Sequence, residues 1–254
     1  MGKIIAVTNQ KGGVGKTTTS VNLSACLAAA GKRVLLVDID PQGNATSGLG
    51  KAGLDVRTVY DVLIGWAKAD EAIISTDFGP LDLMPTAIEL AGAEIEMVDI
   101  ANREQLLKNA LNAIRDRYDY ILIDCPPSLS LLTINALTAA DSVMIPIQCE
   151  YYALEGVGQL MNTVKLMRKK LNPELQIEGI LLTMYDARTN LCGQVVEEVR
   201  NHFANEVFET MIPRNVRLSE APSYGMPIHL YDARCVGAKA YIQLAKEMMQ
   251  RNGG

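Results

Sequence analysis

The residues with the clearest chemical meaning lie near the start of the chain, in the stretch TNQKGGVGKTTTS at residues 8–20. Three glycines, Gly12, Gly13 and Gly15, would let backbone N–H groups approach phosphate oxygens without obstruction from side chains. A helix that begins near Lys16 would add the positive end of its dipole. The pattern predicts a phosphate-binding loop, because an apolar segment precedes it and a helical pattern follows it.

Two side chains of this loop have the chemistry to act on a nucleotide. Lys16 would reach the β- and γ-phosphates, and the Thr17 hydroxyl would hold Mg²⁺. Val14 and Thr18 complete the predicted binding loop. The strict motif G-x-x-x-x-G-K-[ST] fails at one position, because Gln10 stands where the motif has its first glycine. The alternative is a glycine-rich turn that binds nothing.

Carboxylates follow two of the predicted strands. Asp38 and Asp40 lie in LLVDIDPQGN, and Asp124 ends YILID. The carboxyl ends of parallel strands meet at one edge of an open sheet, so we expect these side chains to face the phosphate loop. Asp40 is predicted to orient the attacking water and, with Asp124, to hold Mg²⁺. Aspartate is also a common turn residue after a strand, so the prediction depends on the three sites together.

Short apolar segments alternate with helical patterns along the whole chain. Strands are predicted at residues 3–8, 33–38, 81–85, 120–124, 142–147 and 177–183, and helices at 16–30, 86–98, 103–117, 154–170, 190–205 and 236–250. Several of the strands are apolar on both faces, as expected where helices cover both sides of a parallel sheet. We therefore predict a doubly wound, mostly parallel α/β sheet in one domain over residues 1–254, with residues 48–60 as a surface excursion.

The composition limits the class of protein. There are 24 basic and 29 acidic residues, a net charge of −5, which argues against nucleic-acid coating as a property of the whole surface but leaves a local basic patch open. The five cysteines are far apart and favour reduced thiols over a disulfide framework or a zinc site. No segment approaches the ~20 apolar residues of a membrane-spanning helix. We expect a soluble, cytoplasmic protein.

Five motifs together resemble a known family. KGGVGKTT, DIDPQGN and LIDCPPS resemble the deviant Walker-A ATPases of the ParA/MinD group, while TMYDARTNLCGQVVEEVR and IPRNVRLSEAPSYGMPI narrow the resemblance to Soj-like partition ATPases. The resemblance covers essentially the whole chain and implies a P-loop ATPase domain that takes ATP and Mg²⁺. It further implies a homodimer that encloses the nucleotide, non-specific binding to double-stranded DNA, and slow hydrolysis stimulated by a ParB-type partner. A nucleoid-associated location and a chromosome or plasmid role follow from the same resemblance.

The resemblance also assigns residues around the nucleotide. The lysine that matches Lys11 reaches across the dimer to the phosphates of the partner's ATP. Two facing ATP molecules concentrate negative charge at an interface, which a cation from each subunit would offset. The alternative is that Lys11 is a solvated surface lysine. For the adenine pocket, the resemblance points to Met184, Pro213 and Asn215.

DNA contacts are implied for two arginines, Arg188 and Arg217. Arginines on loops beside a dimer interface would track phosphates once two subunits join. The alternative is that these arginines pair with Asp186, Glu220 or Asp232 on the surface of a single chain.

Three other readings of the chain compete with a DNA-partitioning switch. A MinD-like membrane-associated positioning ATPase needs a basic amphipathic C-terminal helix, and AKAYIQLAKEMMQRNGG has few bulky apolar anchors, so no membrane contact is predicted. An electron-transferring reductase of the nitrogenase iron-protein type needs paired interfacial cysteines, and neither Cys125 nor Cys149 lies in a glycine-flanked loop. The third possibility, a scaffold that senses nucleotide without hydrolysing it, is left open by the sequence.

Overall fold

A computed structural model describes residues 1–150 and 153–253, and its centre is a seven-stranded sheet. The strands are β1 Lys3–Val7, β2 Val34–Asp38, β3 Ile74–Ser75, β4 Leu81–Met84, β5 Tyr120–Asp124, β6 Ser142–Gln148 and β7 Gln176–Thr183. Their spatial order is β3-β4-β2-β5-β1-β6-β7, and every pair is parallel except β3 with β4. The chain winds outward from β1 in both directions, which confirms the predicted doubly wound, mostly parallel sheet.

Helices connect the strands. Their bounds are α1 Lys16–Ala29, α2 Asn44–Gly48, α3 Val59–Leu63, α4 Leu90–Glu96, α5 Leu106–Asn112, α6 Leu131–Ala139, α7 Ala153–Lys170, α8 Asn190–Phe203, α9 Val216–Glu220, α10 Ile228–Tyr231 and α11 Val236–Arg251. Short 3₁₀ turns flank several of them, including α4 and α5.

The two faces of the sheet support two separate hydrophobic cores. Along β1, Ile4 and Ala6 pack into one core with residues of α3 to α8, whereas Ile5 and Val7 pack into the other with α1 and α11. All four side chains are completely buried. This alternation explains why the strand sequences are apolar at consecutive positions rather than at every second one.

The last helix, α11, closes the second core. Its inward residues Tyr241, Leu244 and Met248 are buried, and the Tyr241 hydroxyl lies 3.1 Å from the Thr19 hydroxyl on α1. The apolar stripe predicted for this helix is therefore used inside the protein.

Several predicted boundaries were wrong. The helix predicted at 86–98 is regular only in α4, which continues into a 3₁₀ turn, and the one predicted at 103–117 is regular only in α5, which lies between two 3₁₀ turns. Helix α6 was missed, since LLTINALTA is buried on nearly all sides and shows no helical period. Residues 48–60 are irregular only between α2 and α3. Two isolated parallel bridges, Ile180 with Val207 and Tyr185 with Pro213, lie outside the predicted strand positions 3–8, 33–38, 81–85, 120–124 and 142–147 and join the chain after α8 to β7 and the residues that follow it.

A tight contact in β7 gives a test of the packing. A Cβ atom on Gly179 would lie 2.5 Å from a ring carbon of Phe208 and 3.1 Å from the Glu206 carbonyl oxygen. We expect Gly179→Ala to lower the free energy of unfolding by about 1–3 kcal/mol, because the buried ring must shift. Urea denaturation followed by circular dichroism measures this change. The matched control is Gly158→Ala in α7, where a Cβ atom would meet no heavy atom of the described residues within 4 Å apart from the adjoining helix backbone, and equal midpoints for the two variants would contradict the prediction.

Candidate functional site

The candidate site lies at the carboxyl edge of the sheet, where β2, β5 and β1 end side by side. Asp38 and Asp124 are register partners across β2 and β5, and Val7 pairs with Asp124 across β1 and β5. The loop that follows β1 therefore begins beside the two carboxylates. Sequence reasoning expected these strand ends to meet, and the topology shows that they do.

The loop before α1 has the backbone shape that only glycine adopts readily. Gly13 and Gly15 have φ angles of 73° and 87°, in the left-handed region. Gly15 is the N-cap residue of α1 and has no side chain with which to cap the helix. The first N–H groups of α1 consequently remain available to a ligand, and the helix dipole favours an anionic one.

Lys16 is buried under this loop rather than extended into solvent. Its side chain is 7% exposed, and its Nζ donates to the Lys11 carbonyl oxygen at 3.1 Å. Burial lowers the pKa of Lys16, while the negative charge of Asp124 opposes that shift. The ammonium group is thus held at the start of α1, next to the place where an anion would bind.

Asp38, the last residue of β2, and Asp40, two residues later, are both tied to the loop after that strand. Asp38 is fully buried, and its Oδ2 accepts from the backbone N–H and the hydroxyl of Thr46 at 2.8 and 2.7 Å. Asp40 is 7% exposed, and its Oδ1 accepts from the Gln42 N–H at 3.0 Å. These bonds fix the direction of both side chains.

Asp124 is the carboxylate whose environment best fits a cation. It is fully buried, its Oδ1 accepts from the Ser20 hydroxyl at 2.8 Å, and its Oδ2 has no hydrogen-bond partner among the described residues. Burial, followed by the charge of Asp38, raises the pKa of Asp124. A buried carboxylate oxygen without a donor is costly unless something positive binds it.

The described residues contain no cluster of three or more acidic, histidine or cysteine side chains that would hold a metal by themselves. A site with only two nearby carboxylates and a hydroxyl still suits Mg²⁺, because this ion is usually held by one or two carboxylates together with substrate phosphates and water. Asp124, Asp40 and the Thr17 hydroxyl are the groups that would hold it here.

A cavity of about 320 Å³ opens next to the loop. Its lining combines Gly15 and Thr18 with the predicted adenine-pocket residues Met184, Pro213 and Asn215. The cavity is at the lower end of the size range of small-molecule sites, about 300–1,000 Å³. The structure thus brings together the phosphate loop and the distant segment around residues 184–215, both of which were predicted to bind one nucleotide.

The Asn215 side chain is already partly used. Its Oδ1 accepts from the Arg217 N–H at 3.0 Å and caps α9. The Nδ2 group is therefore the part that would face a base, as a donor to a ring nitrogen.

Two functional positions were missed from the sequence. The Thr183 hydroxyl lies 2.9 Å from the Val14 carbonyl oxygen and 3.0 Å from that of Ile147, so it ties the phosphate loop to β6. Asn9 accepts from the Lys11 N–H at 3.0 Å and donates to a β6 carbonyl oxygen at 2.8 Å. Thr183 is the polar end of an apolar strand, the same signal that identified the aspartates.

Lys11 is not a free surface lysine in the single chain. Its Nζ forms an ion pair with Glu150 Oε2 at 3.0 Å, and the two side chains are 42% and 47% exposed. Glu150 directly precedes the undescribed residues 151 and 152.

Arg188 and Arg217 both have carboxylate partners. Arg188 pairs with Asp186 at 2.6 Å, and Arg217 lies 2.8 Å from Glu220 and 3.6 Å from Asp232. The arginine side chains nevertheless remain 87% and 53% exposed. The structure therefore contains the pairing given above as the alternative, in a form that leaves both guanidinium groups accessible.

Comparison with known proteins identifies the family. Residues 2–177 match a family described as an AAA domain. The sporulation initiation inhibitor protein Soj of Bacillus subtilis is 66% identical over 98% of both chains, and the chromosome partitioning protein ParA of Myxococcus xanthus is 55% identical over 99% of this chain and 89% of its own. The chain belongs to the ParA/Soj family of partitioning ATPases.

Solved structures agree with this assignment of the fold. A Mycobacterium smegmatis protein described as cobyrinic acid a,c-diamide synthase, with a bound ATP analogue and magnesium, superimposes with a TM-score of 0.86 and 39% identity over 100% of this chain and 98% of its own. Relatives with higher identity include proteins named for chromosome partitioning, so the name of this neighbour does not decide the reaction. Within the described residues, none of the helices is long and apolar enough to cross a membrane.

The Thr183 contact gives a test of how the loop is held. We expect Thr183→Val to weaken nucleotide binding roughly tenfold, because it removes a hydroxyl that satisfies a buried carbonyl at a cost of about 1–3 kcal/mol. Thr183→Ser keeps the hydroxyl and should bind nearly as the unmodified protein does. Titration with a fluorescent ATP analogue measures both variants, and equal affinities would show that this contact does not organise the loop.

Proposed function

We propose that this chain is an ATP-driven switch that partitions DNA. An ATP-bound sandwich dimer would bind double-stranded DNA without sequence preference. Slow, Mg²⁺-dependent hydrolysis, stimulated by a ParB-type partner, would release it. The observation that carries the proposal is the convergence of a glycine loop, one buried lysine and three buried aspartates beside a base-sized cavity.

Nucleotide binding would follow from the loop itself. The backbone of residues 11–18 would cradle the phosphates, and Lys16 would place its ammonium group against the β- and γ-phosphate oxygens. Thr17, Asp40 and Asp124 would hold Mg²⁺, whose charge neutralises the phosphate oxygens when it is bound. Asn215 would donate to the base across the cavity, with Met184 and Pro213 forming its walls.

Hydrolysis needs a group that orients water. We assign this role to Asp40, since it is nearly buried at the same sheet edge and its Oδ1 is fixed by the Gln42 N–H. A carboxylate that is already held in one direction positions a water molecule without a further entropy cost for ordering its own side chain.

Lys11 would act on the nucleotide of a second subunit. In the single chain its ammonium group is paired with Glu150, and an exposed pair of this kind contributes little to stability. Phosphate oxygens offer a denser negative charge than one carboxylate, so Lys11 would exchange partners when two nucleotide-bound subunits meet. Dimerisation would in this way depend on bound ATP.

DNA binding would use a similar exchange at Arg188 and Arg217. Both side chains are exposed, and DNA phosphates would compete with Asp186 and Glu220 for the guanidinium groups. Two subunits would double the number of such contacts, which supports binding by the dimer rather than by a single chain.

The alternative readings gain less support. A MinD-like membrane function needs an apolar face on the last helix, and the bulky residues of α11 are mostly buried against the body of the protein. An iron–sulfur reductase needs accessible cysteines at an interface, and Cys125 and Cys149 are both buried. We propose one ATPase domain over residues 1–254, of which 151, 152 and 254 lie outside the described residues.

The role of Asp40 separates switching from sensing. We expect Asp40→Ala to bind ATP and dimerise but to release phosphate at least about 100-fold more slowly, because no carboxylate is left to position water. Sedimentation velocity with ATP and a phosphate-release assay measure the two properties. The control is Asp55→Ala, an exposed aspartate on the loop between α2 and α3. Retained hydrolysis in Asp40→Ala would reject this assignment, and a scaffold without turnover predicts no phosphate release from any variant.

DNA binding is tested with random-sequence duplex DNA in the presence of ATP, ADP or no nucleotide, over a salt series. We expect ATP-dependent binding that weakens steeply with salt and is lost in Arg188→Glu with Arg217→Glu, because each arginine would displace counterions from phosphates.

The matched control for that experiment is Arg33→Glu with Arg117→Glu. Both of these arginines precede strands and lie at the opposite edge of the sheet, and Arg33 is also paired with a carboxylate. Equal loss of DNA binding in the two double variants would show that net charge causes the loss, and would reject Arg188 and Arg217 as the DNA-binding surface.

A further inference from the structure

The segment from residue 88 to residue 99, which contains α4 and the turns on either side of it, has apolar side chains facing in two directions. Leu90 and Ala93 are fully buried and face the core. Ile88, Ile95 and Val98 face outward and are 70%, 80% and 53% exposed. Together with the exposed Ala91, these residues follow the i, i+3, i+7, i+10 spacing of one side of a helix. We call these four residues the outer stripe.

The surroundings of the outer stripe are strongly acidic. Residues 69–102 contain eight acidic residues and no lysine or arginine. Glu89, Glu96 and Asp99 are exposed beside the stripe. Contiguous exposed apolar residues with a polar rim are a feature of interaction sites.

An aromatic cluster borders the stripe. The Tyr60 hydroxyl donates to both carboxylate oxygens of Glu96, at 3.0 and 3.1 Å. The Trp66 ring packs edge-on against Tyr60 with centroids 5.8 Å apart, and Trp66 is 66% exposed. Exposed tryptophan is enriched in protein interfaces, where it contributes more binding energy than most side chains.

We propose that the outer stripe is a docking surface for a cationic amphipathic helix of a partner protein. The spacing of the stripe suits helix-against-helix packing, and the acidic flanks complement lysine or arginine on either side of an apolar face. A second copy of this chain fits less well, because a two-fold interface would place Glu89 and Asp99 against the same acidic residues. The inference rests on the proposed function in that the partner would act on a nucleotide-dependent switch.

The outer stripe is connected to the aspartates of the site. Ile88 lines a depression of about 340 Å³ together with Pro41 and Gln42, the two residues that follow Asp40. A partner helix on the stripe would therefore lie against the segment that holds Asp40.

A second connection runs through two hydrogen bonds. The Thr86 N–H donates to the Thr46 hydroxyl at 3.1 Å, and that hydroxyl donates to Asp38 Oδ2 at 2.7 Å. The turn that leads into α4 is thus directly bonded to the residue that orients Asp38. A docked partner would be placed to change the geometry of both aspartates.

The test uses a synthetic amphipathic helix of leucine and lysine, about five turns long, as the probe for binding to the full chain. We expect fluorescence anisotropy to show salt-sensitive binding that is at least tenfold weaker in the triple variant Ile88→Gln, Ile95→Gln, Val98→Gln. The control is Leu166→Gln with Leu191→Gln, two apolar residues on α7 and α8 that are 47% and 43% exposed. Thermal unfolding shows whether each variant is folded, and equal binding by both variants would overturn the proposal.

Charge reversal distinguishes a specific surface from general attraction to an acidic protein. We expect Glu89→Lys with Asp99→Lys to lose the leucine–lysine probe and to gain binding of a leucine–glutamate probe with the same leucine pattern. Glu174→Lys with Glu197→Lys makes the same change in net charge elsewhere and should do neither. Equal responses of the two double variants would overturn the proposal.

The binding measurements need neither nucleotide nor hydrolysis, so they stand apart from the proposed function. If the unmodified protein does not hydrolyse ATP, the proposed switch function fails, but the probe-binding result still decides the docking proposal. If neither probe binds while the triple variant loses its ATP-dependent dimer in sedimentation, the stripe belongs to self-association and the docking proposal fails.

Discussion

Three carboxylates and one ammonium group are buried at a single edge of the sheet, and this excess of negative charge constrains the rest of the site. Asp38, Asp40 and Asp124 are each less than a tenth exposed, as is Lys16. Buried charges are tolerated when they are hydrogen-bonded or paired. Thr46, Gln42 and Ser20 supply such bonds, but one Asp124 oxygen has no hydrogen-bond donor in the part of the chain that the structure describes. A cation held together with nucleotide phosphates would balance this negative charge.

The anchoring of the phosphate loop follows from the same constraint. A glycine-rich loop has no side chains with which to hold its own shape, and its backbone loses much conformational freedom on ordering. Neighbouring segments therefore hold it: Thr183 at the end of β7 and Asn9, two residues after β1, both bond to loop and β6 backbone atoms. Holding the loop from outside leaves its N–H groups free to face an anion. A loop that is fixed before the ligand arrives is the arrangement that preorganised binding requires.

Local patterns in the sequence predict the parts of this molecule that depend on local physics. A strand, a glycine loop and a helix follow each other within twenty residues, and the aspartates mark strand ends, so the site edge is predictable before the fold is known. Helix α6 was not predictable in this way, because a helix that is buried on nearly every side does not show the periodic change between apolar and polar residues that identifies a helix. The pairing of Lys11 with Glu150 also escapes prediction, since it joins residues 139 positions apart and several carboxylates were available.

The exposed ion pairs explain how a stable chain can remain ready to change partners. Lys11, Arg188 and Arg217 each contact a carboxylate of the same chain, and none of these pairs is buried. Pairing prevents an unsatisfied cation from attracting arbitrary anions, yet exposure to water keeps the interaction weak. A ligand with a denser array of phosphates can then displace the carboxylates at little cost. The buried charges near Asp124 would give the site its rigidity, while under the proposed function the exposed pairs would be the contacts for which nucleotide, a second subunit and DNA compete.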